Sequence, residues 1–519
     1  MDVAGARAYR VAMRRYLVLV VPALVALVVS LAPTAVGAAP AKGATVTGPV
    51  TGGAGAPNLI ATGFDLADAG YVAEEYFIEG TATAYDAAKP LKSDGKWAVK
   101  PVSSAPYKTR IVVYRPEKAK DFNGTVVVEW LNVTAGFDNA PHWQWAHNAI
   151  IRSGAAWVGV SAQAVGVQGG GTVALGGPPG GLKGGDPERY GTLNHPGDIF
   201  SYDMFSQAGR AVAQGGKSGP LGGFEVERVI AVGESQSASR LVTYVNAVHP
   251  LAKVYDGFLI HSRSGGASPL TQPPPAPPGT VPVSTMPSPS LIRTDIGVPV
   301  LTFETEFDTA VSTVPFALAR QPDTKKIRAW EVAGTAHADT YTAPGIGYKD
   351  LGDGQAERDL LDPTKLTGGP LSCVPAINSG GAYLVLNAAY SHLERWVRDG
   401  TLPPKSPRLD VTVGTPTTVN RDEHGNALGG IRTPLLDAPI ATLTGSGGNG
   451  GSGSRFCSLY GTTAPFDAAK LASLYPTHAD YVAKFNQATD RAVKAGFILA
   501  PEAKNLKAAA AASNVGNGG

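Results

Sequence analysis

Six short apolar runs, rich in β-branched residues, recur along the middle of the chain at 125–131, 156–160, 228–232, 257–260, 298–303 and 327–332. Runs that stay apolar at successive positions, instead of alternating with polar ones, fit strands buried on both faces. Segments with helical spacing separate most neighbours, at 143–153, 202–214, 236–248 and 314–320. Another, 382–399, aligns Leu384, Leu386, Ala389, Leu393, Trp396 and Val397 along one side. The alternation predicts an α/β fold, a mostly parallel, doubly wound sheet covered by helices on both faces. Two further strands are expected ahead of it, at 71–85 and 108–114.

Three long irregular inserts break the pattern, at 165–187, 265–290 and 410–454. Ligands of a doubly wound sheet bind outside the carboxyl ends of its strands, so inserts at that edge are expected as lid-like loops. The first insert contains Gly169-Gly170-Gly171-Thr172-Val173-Ala174, which matches the dinucleotide fingerprint in letters. No long helix follows and Gly176-Gly177-Pro178-Pro179 interrupts at once, so it reads as surface loop and no nucleotide cofactor is expected.

The chain opens with basic residues up to Arg14-Arg15, an apolar run from Tyr16 to Leu31 that contains Pro22, and small residues through Val36-Gly37-Ala38-Ala39. This is the pattern of a cleaved secretory signal, expected over 1–38. The apolar run is too short to span a bilayer, and no second run approaches that length. A flexible segment is expected over 39–58, one globular domain over 59–502, and a low-complexity tail over 503–519.

At 519 residues, 43% hydrophobic and 17% charged, the composition excludes wholesale disorder and coiled coil. The formal net charge of +2 becomes −1 without the first 38 residues, with 40 basic against 41 acidic groups. A near-neutral chain carries no electrostatic footprint for nucleic acid or anionic lipid. In an exported chain Cys373 and Cys457 are expected to pair as a disulfide, two buried free thiols being the alternative. Neither CxxC nor HxxxH grouping is present, and no metal site is expected.

The sharpest chemical signal is the run Val229-Ile230-Ala231-Val232, which leads through Gly233-Glu234-Ser235-Gln236-Ser237 into a helical segment. A nucleophile elbow needs a serine on a tight strand-to-helix turn, with small residues two before and two after it. Gly233 and Ser237 supply them, although glycine is commoner than serine at the second place. The strand 298–303 runs on into Glu304-Thr305-Glu306-Phe307-Asp308, which offers Asp308 as the carboxylate for a histidine, with Glu306 as the rival. After the strand 327–332 comes Ala333-Gly334-Thr335-Ala336-His337-Ala338-Asp339, a histidine among small residues. Ser235, Asp308 and His337 follow in that order at intervals of 73 and 29 residues, each after its own strand.

An oxyanion hole needs backbone donors, one being the amide of Gln236 after the nucleophile. The second is expected from the backbone of Asn132 or Val133, in the loop after the strand 125–131. Trp130, Phe137, Trp143 and Trp145 flank that loop and either line an acyl pocket or pack the core. His142 and His147 stand five apart, which places no helical metal pair. His195-Pro196-Gly197-Asp198 reads as a turn leading into a helix, with Asp198 as its cap.

These residues resemble the α/β-hydrolase superfamily. More closely, Glu129-Trp130-Leu131-Asn132-Val133, Gly233-Glu234-Ser235-Gln236-Ser237, the strand from Phe258 to Arg263 and Gly334-Thr335-Ala336-His337-Ala338-Asp339 look like its exported branch of alpha/beta hydrolase domain-containing proteins. The likeness runs from Tyr71 to Gly496. It implies an ester hydrolase with a Ser-His-Asp triad and no cofactor. The expectation is therefore a secreted serine hydrolase acting on a small-molecule carboxylic ester. A peptidase or amidase on the same triad and a non-catalytic hydrolase-like binder are the alternatives, because one fold hosts many chemistries.

Overall fold

Hydrogen bonding gathers all the expected strands into one sheet. In the computed structural model, residues 43–170, 180–214, 219–271, 286–342, 346–362, 365, 372–450 and 456–517 are described, and they belong to one compact unit, Lys42–Gly519. The strands are β1 (Thr45–Thr47), β2 (Tyr71–Ala87), β3 (Val99–Pro116), β4 (Thr125–Trp130), β5 (Ala156–Val160), β6 (Arg228–Glu234), β7 (Gly257–His261), β8 (Val300–Thr305) and β9 (Ile327–Val332). They lie in the order β1-β2-β3-β5-β4-β6-β7-β8-β9. The pairs from β5 to β9 are parallel, and β1 to β3 join them as an antiparallel edge.

The main helices are α1 (Pro141–Ser153), α2 (Ser201–Ala213), α3 (Gln236–Thr243), α4 (Glu306–Ala310), α5 (Ala382–Asp399) and α6 (Ala500–Ala512). They explain why the strands carry apolar residues without alternation. Val126, Val128 and Trp130 of β4 pack with Phe205 of α2 and Leu241 of α3, whereas Val127 packs on the opposite face with Ala146 of α1 and Leu386 of α5. Both faces are buried, and each fully buried Val, Leu or Ile side chain contributes roughly 1.5–3 kcal/mol.

Strand order reverses at β5-β4-β6, which brings the loops after β4 and β6 together at the carboxyl edge of the sheet. A buried carboxylate fixes the first of them. Glu129 of β4 accepts the amides of His142 and Trp143 at 2.9 Å each, so it satisfies the start of α1, where no side chain caps the helix. The Trp157 indole donates to the same group at 2.9 Å. Burial, the largest influence, pushes the Glu129 carboxyl up to about 8 against these hydrogen bonds.

Three expectations change. The segment 314–320 forms only a 3-10 turn, Phe316–Ala319, because Pro315 supplies no amide and Pro322 follows closely. The C-terminal tail is not loose. Alanine favours helix, and α6 buries Ala503, Leu506, Ala509 and Ala510 at helical spacing. Glu502 in the same helix pairs with Arg152 of α1 and accepts from Asn387 Nδ2 at 3.2 Å. The segment expected to be flexible over 39–58 contributes β1, and Arg189 donates to the carbonyls of Gly52 and Val50 at 2.7 and 3.0 Å.

The expected signal at 1–38, most of the fingerprint loop and the proline-rich 273–278 lie outside the described residues. Cys373 and Cys457 form a disulfide with Cα atoms 5.5 Å apart. Among the described residues no helix is long and apolar enough to cross a membrane, and no group of three potential metal ligands occurs.

Candidate active site

β6 ends at Glu234, and Ser235 turns the chain into α3 with φ 60° and ψ −117°. Such a conformation costs a non-glycine residue roughly 1–3 kcal/mol and lifts its side chain clear of the sheet. The Ser235 amide donates to His261 O at 2.9 Å, which ties the turn to β7. A Cβ at Gly233 would stand 3.0 Å from Leu241 Cδ1 and 3.2 Å from Ser237 C, so a small residue is needed there. Ser237 is buried and contributes more than small size. Its hydroxyl donates to Glu234 O at 2.7 Å and accepts from Glu234 N at 3.2 Å, closing the elbow on itself.

Asp308 lies in α4, opened by a capping box in which Thr305 caps and Asp308 is the third helical residue. Thr305 Oγ1 donates to Asp308 Oδ2 at 2.6 Å, and this leaves Oδ1 free to meet His337 Nδ1, also at 2.6 Å. His337 Nε2 stands 2.8 Å from Ser235 Oγ. In the neutral ring, with Nδ1–H given to the carboxylate, Nε2 is the acceptor for the serine hydroxyl. The three residues from three strand ends therefore form one hydrogen-bonded chain. Burial lowers the affinity of His337 for a proton, yet the nearby Asp308 and Glu234 carboxylates outweigh it and raise the group to about 9.

Glu306 does not compete for the histidine. Its Oε2 accepts the amide of Gly334 at 3.0 Å, and its Oε1 accepts Arg421 Nη2 at 2.6 Å and the amide of Gly445 at 3.0 Å. Arg421 and Gly445 come from the third insert, so this carboxylate binds that insert to the histidine loop. Ala338 N donates to Leu459 O at 3.0 Å, a second tie on the other side of His337.

The loop after β4 corrects one expected oxyanion donor. The Asn132 amide is committed to Asn139 O at 2.9 Å and the Thr134 amide to Asn132 Oδ1 at 2.8 Å. Among the described residues the Val133 amide has no hydrogen-bond acceptor, and Gln236 begins α3, where amides are left without helical partners. Asn132 instead uses its buried side chain, whose Nδ2 donates to Glu234 O at 3.1 Å and to Glu234 Oε2 at 3.2 Å. Asp138 anchors the same loop to Arg110 Nη2 at 3.0 Å and to Ser161 Oγ. Arg110 also meets Glu75 at 3.1 Å, and Glu75 meets Arg189 at 2.6 Å, all of them buried.

A cleft of about 140 Å³ opens beside Ser235, with Asn132, Thr134, Trp145, Glu234, His337, Leu459 and Tyr460 in its walls. Of the four aromatic residues near the loop, Trp145 reaches this cleft. Trp130 packs 4.8 Å from Phe205 on the other face of the sheet, Trp143 packs 5.3 Å from Trp157, and Phe137 is half-buried in the loop. His142 is buried 5.6 Å from His261, and His147 lies against Asp350 O at 2.6 Å. Asp198 does not cap the helix that follows it. It accepts the amide of Ala164, the first residue of a short helix Ala164–Gln168, and Arg240 Nη2, both at 2.8 Å, and so ties the start of that helix to α3.

Sequence reasoning assigned no role to Glu129 or Glu234. Both end up as buried carboxylates at the carboxyl edge of the sheet. The signal available was an acid inside an apolar strand run, a placement that costs free energy unless the group is bound.

No curated protein matches the chain. Among solved structures, a thermostable esterase from Pseudomonas putida is 15% identical, with 47% of this chain and 67% of that chain covered and a TM-score of 0.25. An alpha-beta serine hydrolase homologue from Coxiella burnetii is 11% identical, with 44% and 84% covered and a TM-score of 0.26. The family profile described as alpha/beta hydrolase domain matches residues 46–508, from β1 into α6, and thus spans all nine strands and all three residues of the hydrogen-bonded chain. The chain belongs to the alpha/beta hydrolase domain family.

Proposed function

We propose that the chain is a secreted serine hydrolase that cleaves carboxylic esters through an acyl-enzyme intermediate. The observation that carries this reading is the contact chain from Asp308 Oδ1 to His337 Nδ1, 2.6 Å, and from His337 Nε2 to Ser235 Oγ, 2.8 Å, at a strained strand-to-helix turn. Ser235 Oγ attacks the ester carbonyl while its proton passes to His337 Nε2. Asp308 orients the ring and balances the imidazolium. The amides of Gln236 and Val133 hold the developing oxyanion. Collapse expels the alcohol, which takes the proton from Nε2, and leaves an acyl-serine. Water, deprotonated by the same nitrogen, then releases the acid and restores Ser235. Every proton in this scheme moves through a group of the chain itself.

The cleft volume of about 140 Å³ favours a small-molecule substrate at the reacting centre. Export is supported by the basic-apolar-small pattern of residues 1–38 and by the Cys373–Cys457 disulfide, a bond that persists in oxidising compartments.

The test is labelling of the purified protein with a fluorophosphonate, followed by peptide mapping. An adduct on Ser235 is expected. No adduct in folded protein would overturn the reading in favour of a non-catalytic binder. Parallel ester and amide substrates then separate an esterase from an amidase, and N-terminal sequencing of the exported protein reads the cleavage expected after Ala38.

A further inference from the structure

We infer that Glu234 is a positioning residue for His337, a second carboxylate that holds the imidazole from the nitrogen facing the nucleophile, opposite Asp308. The inference rests on the serine hydrolase reading for its catalytic meaning and on geometry for its substance. Glu234 Oε1 stands 3.4 Å from His337 Nε2, the nitrogen that Ser235 Oγ approaches at 2.8 Å. Asp308 Oδ1 holds the other nitrogen at 2.6 Å. The ring thus lies between two carboxylates.

Glu234 is held where it is. Its side chain accepts from Asn132 Nδ2 at 3.2 Å, and its backbone is bonded on both sides by Ser237 Oγ at 2.7 and 3.2 Å. Among the described residues no lysine or arginine pairs with it, so His337 is its charge partner. The groups that face this pair are Asp308 from α4, Glu129 from β4, His261 from β7 and Tyr460 from the cleft wall.

This arrangement has two opposed effects. When the Ser235 O–H bond breaks and Nε2–H forms, the new imidazolium meets a carboxylate on each side, which favours proton transfer out of serine. In the resting protein the same carboxylate favours a proton already on Nε2, and a protonated ring is no base. Burial pushes the Glu234 carboxyl up to about 7, so it is as this group ionises, through and above neutral pH, that it trades activity for a stronger base at higher pH.

Glu234→Gln removes the charge, keeps the shape and retains an acceptor for Asn132. The readout is the ¹⁵N titration of His337 in histidine-labelled protein, its signal identified by loss in His337→Asn. The midpoint is expected to fall by about one pH unit, equivalent to a tenfold change in proton affinity. Glu234→Asp, which keeps a charge but withdraws it from the ring, is expected to fall between the two and serves if the glutamine variant does not fold. A midpoint unmoved in both variants would overturn the inference. Fluorophosphonate labelling of the wild type is read in parallel. A moved midpoint without labelling sinks the hydrolase reading alone, and labelling with an unmoved midpoint sinks the role of Glu234 alone.

Discussion

Glu306 holds the amide of Gly334 at 3.0 Å, so the acid two residues before Asp308 grips the loop that carries His337 without facing the imidazole. The two acids of α4 thereby divide the work of orientation. One touches the ring, and the other fixes the backbone on which the ring is mounted.

Substitution separates them. Asp308→Asn is expected to lower kcat by about four orders of magnitude, as loss of the orienting acid does in a Ser-His-Asp triad, with little change in melting temperature. Glu306→Gln is expected to reduce stability by about 1–3 kcal/mol, since it weakens charge-assisted bonds to Arg421, Gly445 and Gly334, while most of kcat survives in the folded protein. Turnover of an activated ester and a thermal melt on each variant check the pair.

The elbow gives a smaller effect. Ser237→Ala removes the hydroxyl that closes on Glu234 O at 2.7 Å and is expected to lower stability by about 1 kcal/mol. Ser237→Gly, a smaller residue at the same place, also loses that bond. Urea unfolding of both against the wild type reads the contribution of the hydroxyl.

His337 is a base only when neutral. Its pKa of about 9 means that kcat/KM is expected to rise with pH through the neutral range, approaching tenfold per unit, and to level off above pH 9. A flat profile between pH 6 and 9, measured with an ester whose own hydrolysis is subtracted, would contradict that charge state.

Burial holds His142 down to about 3, and among the described residues neither ring nitrogen has a hydrogen-bond partner. Its pKa is lower folded than unfolded, so the stability linked to it is complete above the unfolded value of about 6.5 and is lost as pH falls from there toward 3. Other groups titrate in the same window, and the effect is isolated as a difference between proteins. The wild type is expected to lose stability relative to His142→Phe by about 1.4 kcal/mol per pH unit between pH 6 and 4. Denaturant unfolding of both across that range checks it.

The disulfide bounds a stretch of 84 residues, for which loop entropy gives about 4.5 kcal/mol of stabilisation. Leu459 and Tyr460 follow Cys457 by two and three residues and form part of the cleft wall. A Cys373→Ser, Cys457→Ser double variant is therefore expected to melt earlier and to raise KM more than it lowers kcat. Equal kinetics in the two proteins would detach the cleft wall from the bond.

The sheet was legible because burial on both faces writes itself into the sequence as unbroken apolar runs, and the strands from β4 to β9 fall on those runs. The order of Ser235, Asp308 and His337 was legible because each follows its own strand. Backbone donors leave no such trace. Nothing in the letters separates the amide of Asn132, spent on Asn139, from that of Val133. Asp198 looked like a cap for the helix after it because the partner it binds, Arg240 of α3, is remote in sequence. The alanine-rich end looked loose because its apolar face is weak by composition, and it is ordered by packing against the helices at 355–360 and 478–494 and by Arg152, 350 residues upstream. Glu234 was hidden in the variable place of a motif defined by its neighbours.

The bond between Cys373 and Cys457 makes a covalent ring of everything from one to the other, including Glu306's partners Arg421 and Gly445. A single proteolytic nick anywhere inside that ring leaves the polypeptide in one piece. A nicked molecule therefore keeps its full mass on a gel without reductant, separates into two fragments when reduced, and still presents the guanidinium and the amide that hold the histidine loop.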